Sequence, residues 1–241
     1  TLGQLIKITP NERKILLAAG ATAGMSAIFG SPLAAILLAI ELLLFEFSAR
    51  SFIPVALACI TGAAGHHLLF EEGVVFPLSF QLQPSSNYAL LFYATMGIVI
   101  GLISVIVTKV VYWIEDVFEK LPIHWAWWPA IGGIAVGVVV FFSPRTLGVG
   151  YSNITDLLTG TMPMQVVLSL CILKFVSWAI SLGSGTSGGT LAPLLTIGGA
   201  TGALLGGIGM FWFPNSGINI PLSVLVGMSA MFAGASRAFM T

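Results

Sequence analysis

The sequence predicts an all-α protein that is embedded in a membrane, and three observations support this prediction. Of the 241 residues, 57% are hydrophobic and only 7% are charged, which is a composition that soluble globular domains rarely have. Apolar stretches of helical length recur along the whole chain. Prolines and glycines interrupt them, which predicts a bundle of tilted and broken helices rather than a set of equal spans.

Eight apolar stretches are the predicted elements. The first two are short, because at 1.5 Å per residue they reach only ~22 to 25 Å, whereas the hydrocarbon core is ~30 Å thick. Gly30, Ser31 and Pro32 separate these two stretches. The fourth stretch reaches ~40 Å and is expected to tilt. In chain order the stretches cover residues 14–30, 33–47, 51–70, 88–114, 127–142, 165–182, 190–213 and 222–240.

Charge and cysteine content exclude several classes of function. Nine Lys and Arg balance nine Asp and Glu, so we expect no nucleic-acid partner. Cys59 and Cys171 both lie in apolar stretches and have no metal-ligand spacing, so we expect no metal site and two core cysteines. Five basic residues fall in connections on one side of the predicted membrane, which should be the cytoplasmic side. They are Lys7, Arg13, Lys14, Arg50 and Lys120.

The segment from Gly183 to Pro193 joins two apolar stretches and contains four glycines. Glycines leave the backbone amides uncovered, and the first N–H groups of a helix have no intrahelical partner. These groups carry partial positive charge and can replace the water around an anion. The segment therefore predicts an anion site. The predicted anion-binding groups are the backbone amides of Gly188, Gly189, Thr190 and Leu191, and Ser187 is a neighbouring pathway candidate.

Three other interpretations of this segment compete with an anion site. Glycine-rich turns in membrane proteins also serve close helix packing. The residues from Gly185 to Gly189 match the Gly-x-Ser-x-Gly pattern of serine hydrolases, but that pattern requires a preceding strand. The only candidate bases for a hydrolase, His66, His67 and His124, lie in or beside connections. A phosphate-binding loop requires a Lys after the glycines, and none follows them here. We therefore expect no enzymatic activity.

Two ionisable residues inside apolar stretches are further pathway candidates. Charged side chains at membrane depth are costly and usually face a pathway or a partner. Glu41 either lies on the pathway or reaches the cytoplasmic interface or a salt bridge. Lys174 either raises the local positive potential for an anion or pairs with an acidic residue elsewhere in the bundle.

A six-residue motif occurs twice. The motif from Gly24 to Phe29 recurs from Gly227 to Phe232, with five of the six residues identical. The recurrence predicts two repeats. Transporters built from repeats place their site where equivalent broken helices meet. The end of the first repeat covers about residues 1–120 and most of the second covers about residues 125–241. On this interpretation the chain is truncated at both ends, and half of the expected site precedes Thr1.

Together these segments resemble the CLC family of chloride channels and proton-coupled chloride exchangers. The residues from Ala19 to Gly24, from Phe29 to Ala34, and Ile40 with Glu41 are similar to a helix pair of that family. The residues from Ser187 to Pro193 resemble its second anion-binding loop, with Leu191 where phenylalanine is usual. The residues from Phe232 to Arg237 resemble a late stretch of its membrane domain.

The resemblance implies an inverted-repeat fold, a homodimer in the lipid bilayer of the cell membrane, and one anion pathway per subunit. It implies that chloride is the transported ion and that no other cofactor is needed. It places the coordinating N–H groups at Thr190 and Leu191. Leu42 stands where proton-coupled exchangers carry a relay glutamate, so the protein is either an uncoupled channel or uses Glu41 or another relay. A fluoride-selective relative and a transporter of another anionic solute remain alternatives.

Overall fold

The computed structural model describes residues 8–70, 86–214 and 216–240. Nine α-helices and no strand lie within these ranges, which confirms the prediction of an all-α fold. Contacts divide the chain into two compact units. The first comprises Thr1–Pro77 and Ala238–Thr241, and the second comprises Leu78–Arg237.

The first unit contains three helices. They are α1 (Pro10–Phe29), α2 (Pro32–Leu38), which continues as a π-helical turn (Ala39–Leu44), and α3 (Ala49–Leu69). Gly30 ends α1 in the left-handed conformation at φ 62°, and Pro32 then takes the first position of α2, where its missing N–H costs nothing. The break that the sequence predicted at residues 30–32 is confirmed.

Helices α1 and α3 pack at close range. Ser26 of α1 donates a 2.7 Å hydrogen bond from its Oγ to the carbonyl oxygen of Cys59 in α3. Gly62 of α3 lies directly against the carbonyl of Ala23, where a Cβ atom would collide with it. Cys59 is completely buried, which agrees with its prediction as a core residue.

The second unit contains six α-helices. They are α4 (Asn87–Glu119), α5 (Trp128–Phe142), α6 (Tyr151–Thr159), α7 (Met164–Gly183), α8 (Leu191–Trp212) and α9 (Ile220–Ser236). Short 3₁₀ turns precede α5 (Trp125–Trp127) and follow it (Pro144–Thr146). Helix α9 ends at Ser236, whereas the sequence predicted an apolar stretch to residue 240. The helix stops because Arg237 adopts the left-handed conformation at φ 59°.

Five helical segments in the described residues are long and apolar enough to cross a membrane: α3, α4, Trp125–Phe142, α7 and α8. Two shorter apolar helices, Pro32–Leu44 and Ile220–Ser236, accompany them. Helix α4 has 33 residues, which corresponds to about 50 Å and exceeds the ~30 Å core. It therefore tilts or extends beyond the hydrocarbon. These lengths agree with an integral membrane protein built from unequal helices.

Both copies of the repeated motif lie on helices, the first at the end of α1 and the second in α9. The border between the compact units, at residues 77 and 78, differs from the expected repeat border near residues 120–125. Compact units follow packing, and α4 packs with α7 and α9 in the second unit. The division into two repeats stays a prediction, and Lys7 and Thr241 lie outside the described residues.

Candidate anion-binding site

The glycine-rich segment begins where α7 meets α4. Gly183 ends α7, and a Cβ atom at this position would lie 2.6 Å from a methyl carbon of Ile114 and 3.2 Å from the backbone nitrogen of Glu115. Ser184 donates a 2.7 Å hydrogen bond from its Oγ to the carbonyl of Ser181. Gly185 then turns the chain at φ 78°. The start of the loop is therefore fixed by packing, by a hydrogen bond and by a glycine-specific conformation.

The end of the loop leaves its amides open. Helix α8 begins at Leu191 after Thr190, whose side chain caps no N–H group. Among the described residues, no hydrogen bond is donated by the N–H groups of Gly188, Gly189, Thr190 or Leu191. Gly188, Gly189 and Thr190 are also exposed. Four free donors thus stand at the positive end of a 22-residue helix, which is an arrangement that suits an anion.

A cleft of about 340 Å³ opens beside Thr190. Four of its lining residues carry hydroxyl groups, and Glu115 of α4 carries a carboxylate. Trp178 of α7 also lines it, and the indole Nε1 of this residue is buried without a hydrogen-bond partner in the described part of the chain. The lining residues are Thr108, Val111, Tyr112, Glu115, Trp178, Leu182, Thr190, Leu194, Ala235 and Ser236.

Lys174 lies elsewhere in the second unit. Its side chain is 5% exposed, and its Nζ donates two 2.8 Å hydrogen bonds, to the carbonyl oxygens of Thr146 and Gly148. The one ion pair recorded among the described residues joins Arg145 to Asp156, so the pairing of Lys174 with an acidic residue, which was one of the two alternatives for this lysine, is not observed there. Lys174 instead binds the connection between α5 and α6, and it is not among the residues that line the cleft.

Glu41 lies in the π-helical turn of the first unit. Its Oε1 accepts hydrogen bonds from the backbone N–H groups of Phe239 and Met240, at 3.1 and 2.9 Å. The carboxylate therefore binds the segment that follows α9 through charge-assisted hydrogen bonds to its backbone amides. Its neighbour Leu42 is half-buried and has no group that exchanges protons. The assignments of Glu41, Lys174 and Ser187 as pathway residues stay predictions.

The sequence did not point to the residues that surround Thr190 in the cleft. Tyr112 and Glu115 lie three residues apart on α4 and share one helix face, but Trp178 and Ser236 belong to two other helices, and no sequence spacing links them to α4. One signal was present: Glu115 and Asp116 are adjacent acidic residues in a largely apolar helix before its end, and ionisable groups in such a position are functional candidates. In the described residues, no cluster of three or more His, Cys, Asp or Glu side chains has the arrangement of a metal site.

Comparison with known proteins identifies relatives over the whole chain. A family model described as voltage gated chloride channel matches residues 1–241. The H(+)/Cl(-) exchange transporter ClcA of Yersinia pestis is 30% identical over 241 residues, which cover 97% of this chain and 50% of ClcA. The voltage-gated ClC-type chloride channel ClcB of Escherichia coli O17:K52:H18 is 29% identical over 236 residues, which cover 96% of this chain and 56% of ClcB. These names describe transporters and channels rather than enzymes.

Solved structures share the fold. A slow cyanobacterial Cl⁻/H⁺ antiporter has a TM-score of 0.83 at 20% identity, covering 99% of this chain and 58% of the antiporter chain. A CLC-type fluoride/proton antiporter has a TM-score of 0.70 at 23% identity, covering 86% of this chain and 51% of that chain. The chain spans about half the length of the curated relatives that it matches. With the family model matching from the first residue to the last, the chain belongs to the voltage-gated chloride channel (CLC) family.

Proposed function

We propose that this chain forms part of a membrane protein that moves chloride or a similar small anion across the bilayer. The observation that carries the proposal is the set of N–H groups at the start of α8, from Gly188 to Leu191, that donate to no acceptor in the described ranges. A partly dehydrated anion rests against these donors, which replace part of its water shell. No cofactor takes part, because the anion itself is the ligand.

The surroundings favour transit over tight binding. None of the described residues that line the cleft beside Thr190 is basic. A pathway must attract an ion enough for entry and hold it weakly enough for release. Amide dipoles meet this condition, whereas a direct contact with a fixed Lys or Arg would retain the ion for longer. The same absence of basic side chains in the cleft argues against a large anionic solute.

Chloride is the anion that we propose, and the names of the relatives support it. ClcA is named an H⁺/Cl⁻ exchanger and ClcB a chloride channel, whereas one structural neighbour is named a fluoride/proton antiporter. We further propose that the full-length protein acts as a homodimer in the cell membrane, as the family resemblance implies. Leu42 favours a channel or a relay through another group, because its side chain carries no titratable proton.

The proposal is tested with Gly188→Val and Gly189→Val in the full-length protein. Neither glycine has a positive φ, and an added Cβ would meet no described atom within 4 Å, so both variants should fold. A valine side chain covers the neighbouring amides, and we expect chloride efflux from liposomes to fall at least about tenfold, as loss of about 1.4 kcal/mol of ion coordination would produce. Gly137→Val in α5, which is also exposed and uncrowded, is the matched control.

The two variants must be compared at equal incorporation and with the oligomeric state checked by size-exclusion chromatography. Chloride efflux equal to that of the wild type and of Gly137→Val, in both Gly188→Val and Gly189→Val, would exclude these amides from the pathway. Repeating the efflux measurement with fluoride as the permeant anion separates a chloride pathway from a fluoride-selective one. Efflux with and without an imposed pH gradient then separates a channel from an exchanger.

A further inference from the structure

A second cleft, of about 620 Å³, lies in the second unit where α4 begins and α8 ends. We call it the aromatic cleft, because Tyr88, Phe92, Trp212 and Phe213 contribute aromatic rings to its lining. Its volume falls within the range of about 300 to 1,000 Å³ that is typical of small-molecule sites. It shares no described lining residue with the cleft beside Thr190, so it is a separate candidate site.

Two contacts hold the walls of the aromatic cleft in place. Phe92 of α4 lies against Gly209 of α8, where a Cβ atom would collide with the ring. The next residue, Tyr93, accepts a 2.7 Å hydrogen bond at its phenol oxygen from the N–H of Asn219, which precedes α9. The start of α4 is therefore joined to the end of α8 and to the start of α9. A ligand that enters a cleft with fixed walls loses little free energy through ordering of the protein.

The aromatic cleft lies where two candidate membrane spans end. One span begins at Asn87 and the other ends at Trp212. Tyrosine and tryptophan at the ends of spans occupy the boundary between the hydrocarbon and the headgroups. Tyr88 is 78% exposed and Trp212 is 70% exposed, and exposed side chains at this depth of a bilayer face lipid. The molecules that reach the cleft first are therefore the lipids of the membrane.

The lining combines apolar rings with uncharged hydrogen-bond donors. The phenol of Tyr88 and the indole N–H of Trp212 make no hydrogen bond to any residue in the described ranges. The hydroxyl groups of Thr95 and Ser216, in contrast, donate to backbone carbonyl oxygens of the protein. No charged side chain lies in the described lining, whereas sites for anionic lipids are basic. The chemistry favours a ligand with an apolar chain, acceptor oxygens beside it and no net charge.

We propose that the aromatic cleft binds one zwitterionic phospholipid from the surrounding bilayer. One acyl chain packs on the ring of Phe92, and Tyr88 and Trp212 donate hydrogen bonds to the ester or phosphate oxygens. Burial alone does not select this lipid, because bilayer tails are as apolar as the cleft. Close packing against fixed rings and the two hydrogen bonds retain it. The bound lipid joins α4 to the end of α8 and therefore stabilises the second unit.

The test is native mass spectrometry of the full-length protein in detergent, with phosphatidylcholine added at low molar excess. We expect the wild type to retain one phosphatidylcholine per chain. Thr95→Phe places a ring in the cleft from an exposed position, and the affinity should fall at least about tenfold, which corresponds to about 1.4 kcal/mol of binding free energy. Ala94→Phe adds the same ring one residue earlier, at an exposed position outside the described lining, and should retain the lipid.

A second pair of variants tests the hydrogen bonds and keeps the proposal falsifiable if Thr95→Phe does not fold. Tyr88→Phe removes one donor and leaves the ring, so we expect phosphatidylcholine to bind about twofold to tenfold more weakly, as for the loss of one hydrogen bond. Tyr112→Phe is the matched control, because Tyr112 is a 61% exposed tyrosine of the same helix outside the aromatic cleft. Size-exclusion chromatography verifies that each variant is folded.

Several results would overturn the proposal. Equal retention of phosphatidylcholine by the wild type, Thr95→Phe and Ala94→Phe would show that the lipid binds elsewhere. A wild type that retains none would show that the cleft is closed by another part of the full-length protein. Tighter retention of the anionic phosphatidylglycerol would refute the zwitterionic headgroup. The measurement contains no transported anion, so a wild type that conducts no chloride would end the proposed function and leave this inference standing.

Discussion

Gly227 of α9 packs directly on Gly202 of α8. A Cβ atom on Gly227 would lie 2.7 Å from the Cα of Gly202 and 2.9 Å from its nitrogen, and it would collide with the carbonyl oxygen of Gly198. A Cβ atom on Gly202 would in turn collide with the carbonyl of Ser223. Small residues let two helix backbones approach in a membrane, where apolar side chains gain little from leaving lipid. This contact holds α8, and with it the candidate anion site, against α9.

We therefore predict that Gly227→Ala and Gly202→Ala destabilise the full-length protein. The methyl group has no room without a shift of the backbone, and overpacking of this kind costs about 1 to 3 kcal/mol. Thermal unfolding in detergent, followed by the loss of monodisperse protein, measures the effect as a lower midpoint temperature. Gly137→Ala in α5 serves as the control, since an added Cβ meets no described atom within 4 Å there. Equal midpoints for all three variants would contradict the packing that the structure shows.

A second prediction concerns the start of α1. Thr9 and Glu12 form a reciprocal capping box, in which the N–H of Thr9 donates to Oε2 of Glu12 at 2.8 Å and the N–H of Glu12 donates to Oγ1 of Thr9 at 3.3 Å. The backbone N–H of Thr9 is the main cause that lowers the pKa of Glu12, and the side-chain hydroxyl of Thr9 adds to it. Because its pKa is lowered, the ionised carboxylate of Glu12 stabilises the start of α1 at pH values above the ordinary pKa of a glutamate. This stabilisation is lost as the pH falls through the lowered pKa.

We expect Glu12→Gln to reduce hydrogen-exchange protection of the first turn of α1 at about pH 7, where the wild-type carboxylate is ionised. The difference between wild type and Glu12→Gln should shrink below about pH 4. Protection factors from exchange and mass spectrometry, corrected for intrinsic rates, give the measurement. Exposed Asp116→Asn leaves this turn untouched and is the control. A wild-type protection that is the same at both pH values would show that Glu12 does not cap the helix.

Helix breaks were predictable from the sequence because single residues cause them. Gly30 and Pro32 end one helix and begin the next through conformational preferences that act locally. The early end of α9 was not predictable, since Arg237 adopts a left-handed conformation that its residue type does not favour. Helix α6 was missed because its nine residues include Asn153, Thr155 and Asp156, so it lacks the apolar run that identified the other helices.

The candidate site was predictable in part for the same reason. The amides from Gly188 to Leu191, which have no acceptor in the part of the chain that the structure describes, follow from a local glycine pattern before a helix. The cleft does not, because it depends on the packing of α4, α7 and α9 around Thr190, and tertiary contacts between distant residues leave no periodic signal in one sequence. Lys174 illustrates the limit: its burial at membrane depth was clear from the sequence, but its partners are two backbone carbonyls that no side-chain pattern reveals.

The last prediction concerns this lysine. Lys174 is 5% exposed, and its Nζ binds the carbonyl oxygens of Thr146 and Gly148 at 2.8 Å each. Lys174→Met keeps the apolar stem but leaves both carbonyls without their charged donor, and a hydrogen bond to a charged group contributes about 1.5 to 3 kcal/mol. The removal of a buried charge offsets part of that loss, so we expect a net destabilisation of about 2 kcal/mol. Lys174→Arg keeps a donor and should recover part of the stability.

Lys109→Met, at an exposed position in α4, controls for the loss of one positive charge. Thermal unfolding of the full-length protein and protease cleavage between α5 and α6 are the measurements, since a loop released from Lys174 should be cut faster. Equal midpoints and equal cleavage rates for Lys174→Met and Lys109→Met would show that the lysine does not hold this loop, and would favour the alternative that its charge serves the anion.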